Sequence, residues 1–269
     1  MKGFHVIAGL PRSGSTLLAN LLNQNPEFHA SSTSSVAGAV QGLQIYWSNS
    51  LEVKSSLAND PRGTESRSRE ALRGLIEGWY SSREDQIVFD KGRQWVAVAG
   101  VLADIYSEAR IFAMVRDPRE VCASILRAHE QSPIFDLEPG ATVLSRASNL
   151  FHTSSGIVGG AMTWLEDHHR RKTPNVVVLP FEQFVADPED TLRTVYAKMK
   201  MDYWDGHDFS AVESTATDCD AQYLNKFPHH YDAKPVESKD PTWPRVVPSE
   251  IAQNIVNTFP AFFKAYGYN

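Results

Sequence analysis

The apolar segment Phe4–Leu10 runs straight into Gly9-Leu10-Pro11-Arg12-Ser13-Gly14-Ser15-Thr16, and a helical pattern over Thr16–Asn23 follows at once. A strand, a glycine-bounded turn and a helix in immediate succession leave few folds open. The first turn of a helix has backbone N–H groups with no partner in the helix, and the dipole adds positive potential there. Such a junction favours a bound anion. Gly9 and Gly14 permit the tight turn, Ser15 and Thr16 add hydroxyl donors, and Arg12 supplies a cation from inside the loop. Leu17, Leu18, Leu21 and Leu22 share one side of the helix, which predicts packing against a sheet.

The rest of the chain repeats the rhythm. Ile87–Phe89, Ile111–Val115 and Val176–Leu179 are short runs rich in Val, Ile or Phe, each closed by a polar or glycine turn, as buried parallel strands are. Helical patterns cover Arg119–His129, Glu182–Met199 and Ser249–Tyr266. The expected fold is α/β: a P-loop-like three-layer sandwich whose mostly parallel sheet of about five strands is flanked by helices. Three stretches interrupt the rhythm. Residues 48–69 read as a loop or loosely ordered helix, 131–156 as an inserted lid, and 205–248 as irregular chain. Long irregular stretches in a compact domain usually carry function. A single domain over 1–269 is expected, with substrate or lid segments at 30–70 and 131–156.

Composition narrows the class. Hydrophobic residues make up 42% of the 269 positions, enough for a sizeable core, and the net charge of −6 argues against a general nucleic-acid binder. A local basic pocket for a small anion stays open, because net charge says little about one cleft. Cys122 and Cys219 have no CxxC partner, and the pairs His168-His169 and His229-His230 lack a carboxylate or thiolate at ligand spacing, so no metal site is expected. The apolar run at the N-terminus is too short for a secretory signal, and no stretch is long enough to span a membrane. A cytoplasmic protein with no membrane partner is expected.

The loop has the spacing of the Walker A motif GxxxxGK[ST], with Ser15 where that motif has lysine. In nucleotide hydrolases and kinases that lysine reaches the β and γ phosphates, so its replacement argues against ATP or GTP chemistry. A second motif follows the run Ile111–Val115. Arg116 stands at the carboxyl end of an expected strand, Asp117-Pro118 is a good helix start, and Ser124 comes eight residues after Arg116. A guanidinium and a hydroxyl so placed can share one phosphate.

The string Pro11-Arg12-Ser13-Gly14-Ser15-Thr16-Leu17-Leu18 resembles the 5′-phosphosulfate loop of sulfotransferases, closest to the PRSGTT form of tyrosylprotein sulfotransferases and their bacterial relatives. Those enzymes use 3′-phosphoadenosine-5′-phosphosulfate (PAPS), release PAP and share the P-loop-like fold. The resemblance implies that Pro11, Arg12, Ser13, Gly14, Ser15 and Thr16 bind the 5′ group. It implies that Arg116 and Ser124 hold the 3′-phosphate and that Lys91, after Ile87-Val88-Phe89-Asp90, steadies the leaving phosphosulfate. Lys234 resembles a nucleotide-contacting lysine of the family tail, and Phe181-Glu182-Gln183-Phe184 with Asp187-Pro188 resembles a structural segment.

The resemblance departs at the general base. Where relatives carry a glutamate this chain reads His29-Ala30-Ser31-Ser32-Thr33-Ser34-Ser35-Val36, and where others carry a histidine it reads Lys91-Gly92-Arg93. His29, Asp90, His129, Glu130 and His152 are candidates, with His129 and Glu130 favoured because they lie where the second motif's helix meets the expected lid. The implied reaction is transfer of a sulfuryl group from PAPS, without a metal, to a hydroxyl or amine of a small-molecule or peptide acceptor. A small-molecule kinase with a degenerate loop, or a nucleotide-binding module without catalysis, would carry the same loop.

Overall fold

The computed structural model describes residues 1–131, 142–216, 236–237 and 240–268. In chain order its elements are β1 (Gly3–Gly9), α1 (Ser15–Leu22), β2 (Phe28–Thr33), α2 (Val36–Asn49), α3 (Leu51–Asn59), α4 (Pro61–Trp79) and β3 (Ile87–Lys91). There follow α5 (Ala99–Ile105), β4 (Ile111–Val115), α6 (Pro118–Gln131), α7 (Val143–Leu150), α8 (Gly159–Arg171) and β5 (Val176–Pro180). The chain continues with α9 (Phe181–Ala186), α10 (Pro188–Lys198), α11 (Trp243–Val246), α12 (Ser249–Thr258) and α13 (Pro260–Tyr266). The five strands form one sheet in the order β2-β3-β1-β4-β5, and every neighbouring pair is parallel.

Alternation along the strands divides the interior in two. Val6 and Ala8 of β1 and Val88 of β3 join a core with α2, α4, α6 and α8, while Ile7 and Phe89 join a second core with Leu18, Leu21 and Leu22 of α1 and Val195 of α10. Both faces of the sheet are therefore covered, which is why its strands read as apolar runs.

Four strands coincide with the expected runs, and β2 does not. It is an edge strand whose sequence Phe28-His29-Ala30-Ser31-Ser32-Thr33 is short in large apolar residues, whereas β5 at the other edge keeps them. Side chains close that edge. Asn23 Nδ2 donates to the carbonyl of Ala30 (2.9 Å), its Oδ1 accepts from Ala30 N (2.6 Å), and Gln86 Nε2 donates to the carbonyl of Phe28 (3.1 Å). An amide side chain thus stands in for the missing strand.

Residues 51–79 are helical rather than loop. Ser50 accepts from Val53 N (3.3 Å) and Asp60 from Gly63 N (3.0 Å), so each polar residue that suggests a loop instead caps a helix. The two long helical patterns are each broken in two, at Pro188 and Pro260. Proline has no N–H and drives the residue before it out of helical geometry, as Asp187 (φ −142°) and Phe259 (φ −126°) show. Within the expected lid, α7 is helical; residues 132–141 lie outside the described residues. Of the stretch 205–248, the part up to Ala216 is tied to α1, where Asn20 Oδ1 accepts from Thr215 N (3.1 Å) and Ala216 N (2.8 Å).

Gly9 ends β1 at φ +113°, and a Cβ there would lie 2.0 Å from the Met114 carbonyl oxygen. Gly9→Ala is therefore expected to destabilise the chain by at least ~3 kcal/mol. That corresponds to a fall in melting temperature of about 6–12 °C. Gly38→Ala, where a Cβ would meet nothing within 4 Å, should leave the transition unchanged or slightly raised in the same thermal denaturation.

Candidate functional site

In an open α/β sheet, ligands bind outside the carboxyl ends of the strands where the strand order reverses. Here that point lies between β1 and β4. The loop after β1 is packed onto the end of β4. Leu10 N donates to the Met114 carbonyl (2.9 Å), and the buried Ser13 hydroxyl reaches the carbonyls of Leu10 (2.6 Å) and Met114 (3.2 Å). Arg12 sits in the left-handed region at φ 60°, and Gly14 at φ 90° begins α1 with no side chain to cap its first turn. A Cβ on Gly14 would come within 2.6 Å of the Phe181 ring, so the aromatic ring at the end of β5 sets the position of the loop. A left-handed non-glycine residue is strained, and such strain gathers at functional loops.

Three cations converge on this loop. Arg12 Nε donates to Ser124 Oγ (3.0 Å) on α6. Arg116 Nη1 donates to the carbonyl of Arg12 (3.0 Å), its guanidinium lies 4.4 Å from the centre of the Phe181 ring, and its Nη2 pairs with Glu120 at 3.4 Å. Burial pulls the Arg116 pKa down, and Glu120 and Glu182 oppose that shift. Lys91 Nζ, from β3, donates to Thr16 Oγ1 (3.1 Å) in the first turn of α1. The structure thus brings together Pro11–Thr16, Lys91, Arg116 and Ser124, although the direct partner of Ser124 is Arg12, and Arg116 takes Glu120.

The other expected residues lie elsewhere. His129 and Glu130 follow Ser124 on α6 and project about 140° and 120° away from it around the helix axis. His129 is half-buried and Glu130 is exposed. Burial and Arg146 pull the His129 pKa down. His152 Nδ1 caps a turn, with Ser155 Oγ at 2.9 Å. Lys234 lies outside the described residues. Cys122 is buried in α6, and burial pushes its thiol up to about 12.

Asp90 is 0% exposed. Its Oδ2 accepts from Ser34 Oγ (2.5 Å) and Tyr80 Oη (2.5 Å), and its Oδ1 from Trp95 Nε1 (2.6 Å). Nothing in the local sequence marks Ser34, Tyr80 and Trp95 as its partners, because they come from three separate segments. Glu120 is a second carboxylate whose role sequence reasoning missed. Besides Arg116, it accepts from Trp243 N (2.6 Å), Thr242 Oγ1 (3.1 Å) and Thr242 N. Glu182 accepts from Asp117 N (3.0 Å) and Tyr268 Oη (3.1 Å). Asp117 caps α6 through Arg119 N (2.8 Å), and Arg119 stacks 4.4 Å from the centre of the Trp243 ring. The buried Glu120, together with the exposed Glu182 and the half-buried Asp117, thereby holds the C-terminal segment against α6. Among the described residues no cluster of His, Cys, Asp or Glu is arranged to hold a metal ion, and no helix is long and apolar enough to cross a membrane.

Beyond the outer edge of β2 lies a cleft of about 590 Å³, lined by Asn23, His29, Ser31, Ser34, Trp79 and Arg83 among others. His29 packs edge-on against Tyr80, and burial followed by the charge of Arg83 lowers its pKa.

No curated protein sequence matches the chain significantly. Among solved structures, the sulfotransferase domain from the curacin biosynthetic pathway superposes with a TM-score of 0.55 at 12% identity, over 99% of this chain and 98% of that one. Mouse sulfotransferase SULT7A1, solved with PAP, gives 0.55 at 12% identity over 98% and 85%. Retinol dehydratase, solved with retinol and PAP, gives 0.52 at 13% identity over 97% and 81%. At such identities these likenesses show the fold. The sequence model of the sulfotransferase family matches residues 6–206, which takes in the loop after β1, Lys91 and the Arg116–Ser124 motif, and the chain accordingly belongs to the sulfotransferase family.

Proposed function

We propose that this protein transfers a sulfuryl group from PAPS to a hydroxyl group of a small organic acceptor. One observation carries the reading: the hydrogen bond of 3.0 Å from Arg12 Nε to Ser124 Oγ joins the loop after β1 to the motif after β4. Two segments far apart in sequence, each carrying groups suited to a phosphate, therefore meet at one place. A nucleotide with phosphate at both its 5′ and 3′ positions matches that pair, and a nucleoside triphosphate does not. The mouse relative solved with PAP supports the choice of donor, and the relative solved with retinol supports a small-molecule acceptor.

The residues fit the donor chemically. The loop amides and Arg12 meet the 5′ group, while Arg116 and Ser124 meet the 3′-phosphate. As the bond from sulfur to the bridging oxygen breaks, negative charge gathers on that oxygen. Lys91, held beside the loop by Thr16, supplies fixed positive charge there. The cleft beside β2 borders the carboxyl end of β3, which carries Lys91, and offers room for an acceptor.

Calorimetry with PAP, AMP and magnesium ATP tests the donor. PAP is expected to bind at least ~10-fold more tightly than AMP, the value of a charge-assisted hydrogen bond. Preference for ATP would overturn the reading. Arg12→Ala should weaken PAP and AMP alike by roughly 10–100-fold. Arg116→Ala should instead abolish the preference for PAP over AMP, and an unchanged ratio would remove Arg116 from the 3′ site. Lys91→Ala should lower the rate of PAP release from PAPS by roughly 10²–10³-fold. Its PAP affinity should fall less than about tenfold, because most of its contribution arises as charge develops.

A further inference from the structure

Sulfuryl transfer to a hydroxyl needs a group that takes the acceptor's proton. His129 and Glu130 turn away from Ser124, and His152 caps a turn. His29 lines the cleft but pairs with Val88, three residues before Lys91, which places it about 10 Å down the strand from the carboxyl end. The end of β3 holds another group. Asp90 precedes Lys91 and points to the opposite face of the sheet, and its carboxylate is sealed from solvent. Its contacts with the cleft run through Ser34 and Tyr80, which both line it and both lie 2.5 Å from Asp90 Oδ2; Tyr80 is buried, and Ser34 is the half-buried, more accessible of the two.

We propose that Ser34 and Asp90 form the proton relay of this site, an inference that rests on the sulfuryl-transfer reading above. The acceptor oxygen bonds to sulfur while the bond between sulfur and the bridging oxygen of the 5′-phosphate breaks, and PAP leaves with that electron pair. The acceptor's proton passes to Ser34 Oγ as the proton of Ser34 passes to Asp90 Oδ2. Ser34 is the catalytic residue, and Asp90 acts through it.

Four features fit this role and exceed what a simple staple requires. Ser34 N donates to the Lys91 carbonyl (2.9 Å), so the relay serine and the cation for the leaving oxygen are fixed to one another by one backbone bond. Val36 N donates to Ser34 Oγ (3.2 Å), which steadies the oxygen while its proton is in transit. Tyr80 and Trp95 hold the carboxylate in place while Ser34 moves its proton. Burial raises the Asp90 pKa against the opposing pull of its three donors, which makes the buried carboxylate more willing to accept a proton.

The test compares wild type, Ser34→Ala and Asp90→Asn for PAP affinity, melting temperature and PAP release from PAPS, with phenol or 4-nitrophenol as acceptor. At about pH 8 phenol keeps its proton while 4-nitrophenol is largely ionised and needs no base. With phenol, both variants should lose roughly 10²-fold or more in rate. With 4-nitrophenol they should lose less than about tenfold, and PAP affinity should stay within about threefold. Equal losses on both acceptors would make Asp90 and Ser34 a structural staple and overturn the relay, as would no loss with phenol. If Asp90→Asn melts far below wild type, Ser34→Ala decides, since it leaves the bonds from Tyr80 and Trp95 intact. Wild type that binds PAP but transfers to neither phenol would also overturn the relay, whereas wild type that fails to bind PAP would sink the donor reading itself.

Discussion

The contact between the loop after β1 and the end of β4 governs the rest of the site. Leu10 N and the Ser13 hydroxyl both reach the Met114 carbonyl, and Gly9 lets the two backbones come that close. Once the loop is seated on β4, the first turn of α1 faces the crevice between β1 and β4. Arg12 then meets Ser124, and Arg116 meets the carbonyl of Arg12. Each step is a short-range polar contact between backbone or fixed side chains, so the site is organised before any ligand arrives. Preorganisation of this kind lets charge be stabilised without rearranging dipoles at the moment of reaction.

Carboxylates, two of them buried, do much of the remaining assembly. Asp90 collects donors from the start of α2, the end of α4 and the turn after β3. Glu120 gathers Arg116 and the backbone of Thr242 and Trp243, while Glu182 gathers Asp117 and Tyr268. A buried carboxylate is tolerated when it is paired or fully hydrogen-bonded, and removing one partner costs more than the pair contributes. Asp90 and Glu120 therefore select one arrangement of distant segments more than they raise overall stability. The chain's excess of acidic residues coexists with a cationic crevice for the same reason: the acids near the site are spent on partners.

Much of the fold and of the anion loop is legible from one dimension. Ile111–Val115 is buried on both sides and uniformly apolar, Phe4–Gly9 is apolar but for His5, and Val176–Leu179 keeps an apolar run although it lies at an edge of the sheet. β2 escaped that logic because its Ser and Thr residues mimic a loop. The helices at 51–79 escaped it because Ser50 and Asp60 look like loop residues until their side chains are seen capping backbone N–H groups. The long helical patterns were split by Pro188 and Pro260, where a periodic apolar stripe continues even though the backbone hydrogen bonds do not.

The resemblance to sulfotransferases singled out Lys91, while the sequence by itself determined the strand–turn–helix junction at Gly9–Thr16, the parallel α/β class and the placing of Arg12 and Arg116 at strand ends. These follow from local rules: which residues permit a left-handed turn, which bury a strand, which carry fixed charge. Only the tertiary structure decided that Ser124 pairs with Arg12, that Glu120 binds Arg116 and the C-terminal segment, and that Asp90 takes its hydrogen bonds from Ser34, Tyr80 and Trp95. The physical reason is that a hydrogen bond depends on distance in space. Partners separated by 56 positions, as Ser34 and Asp90 are, leave no periodic or compositional trace in the chain that joins them.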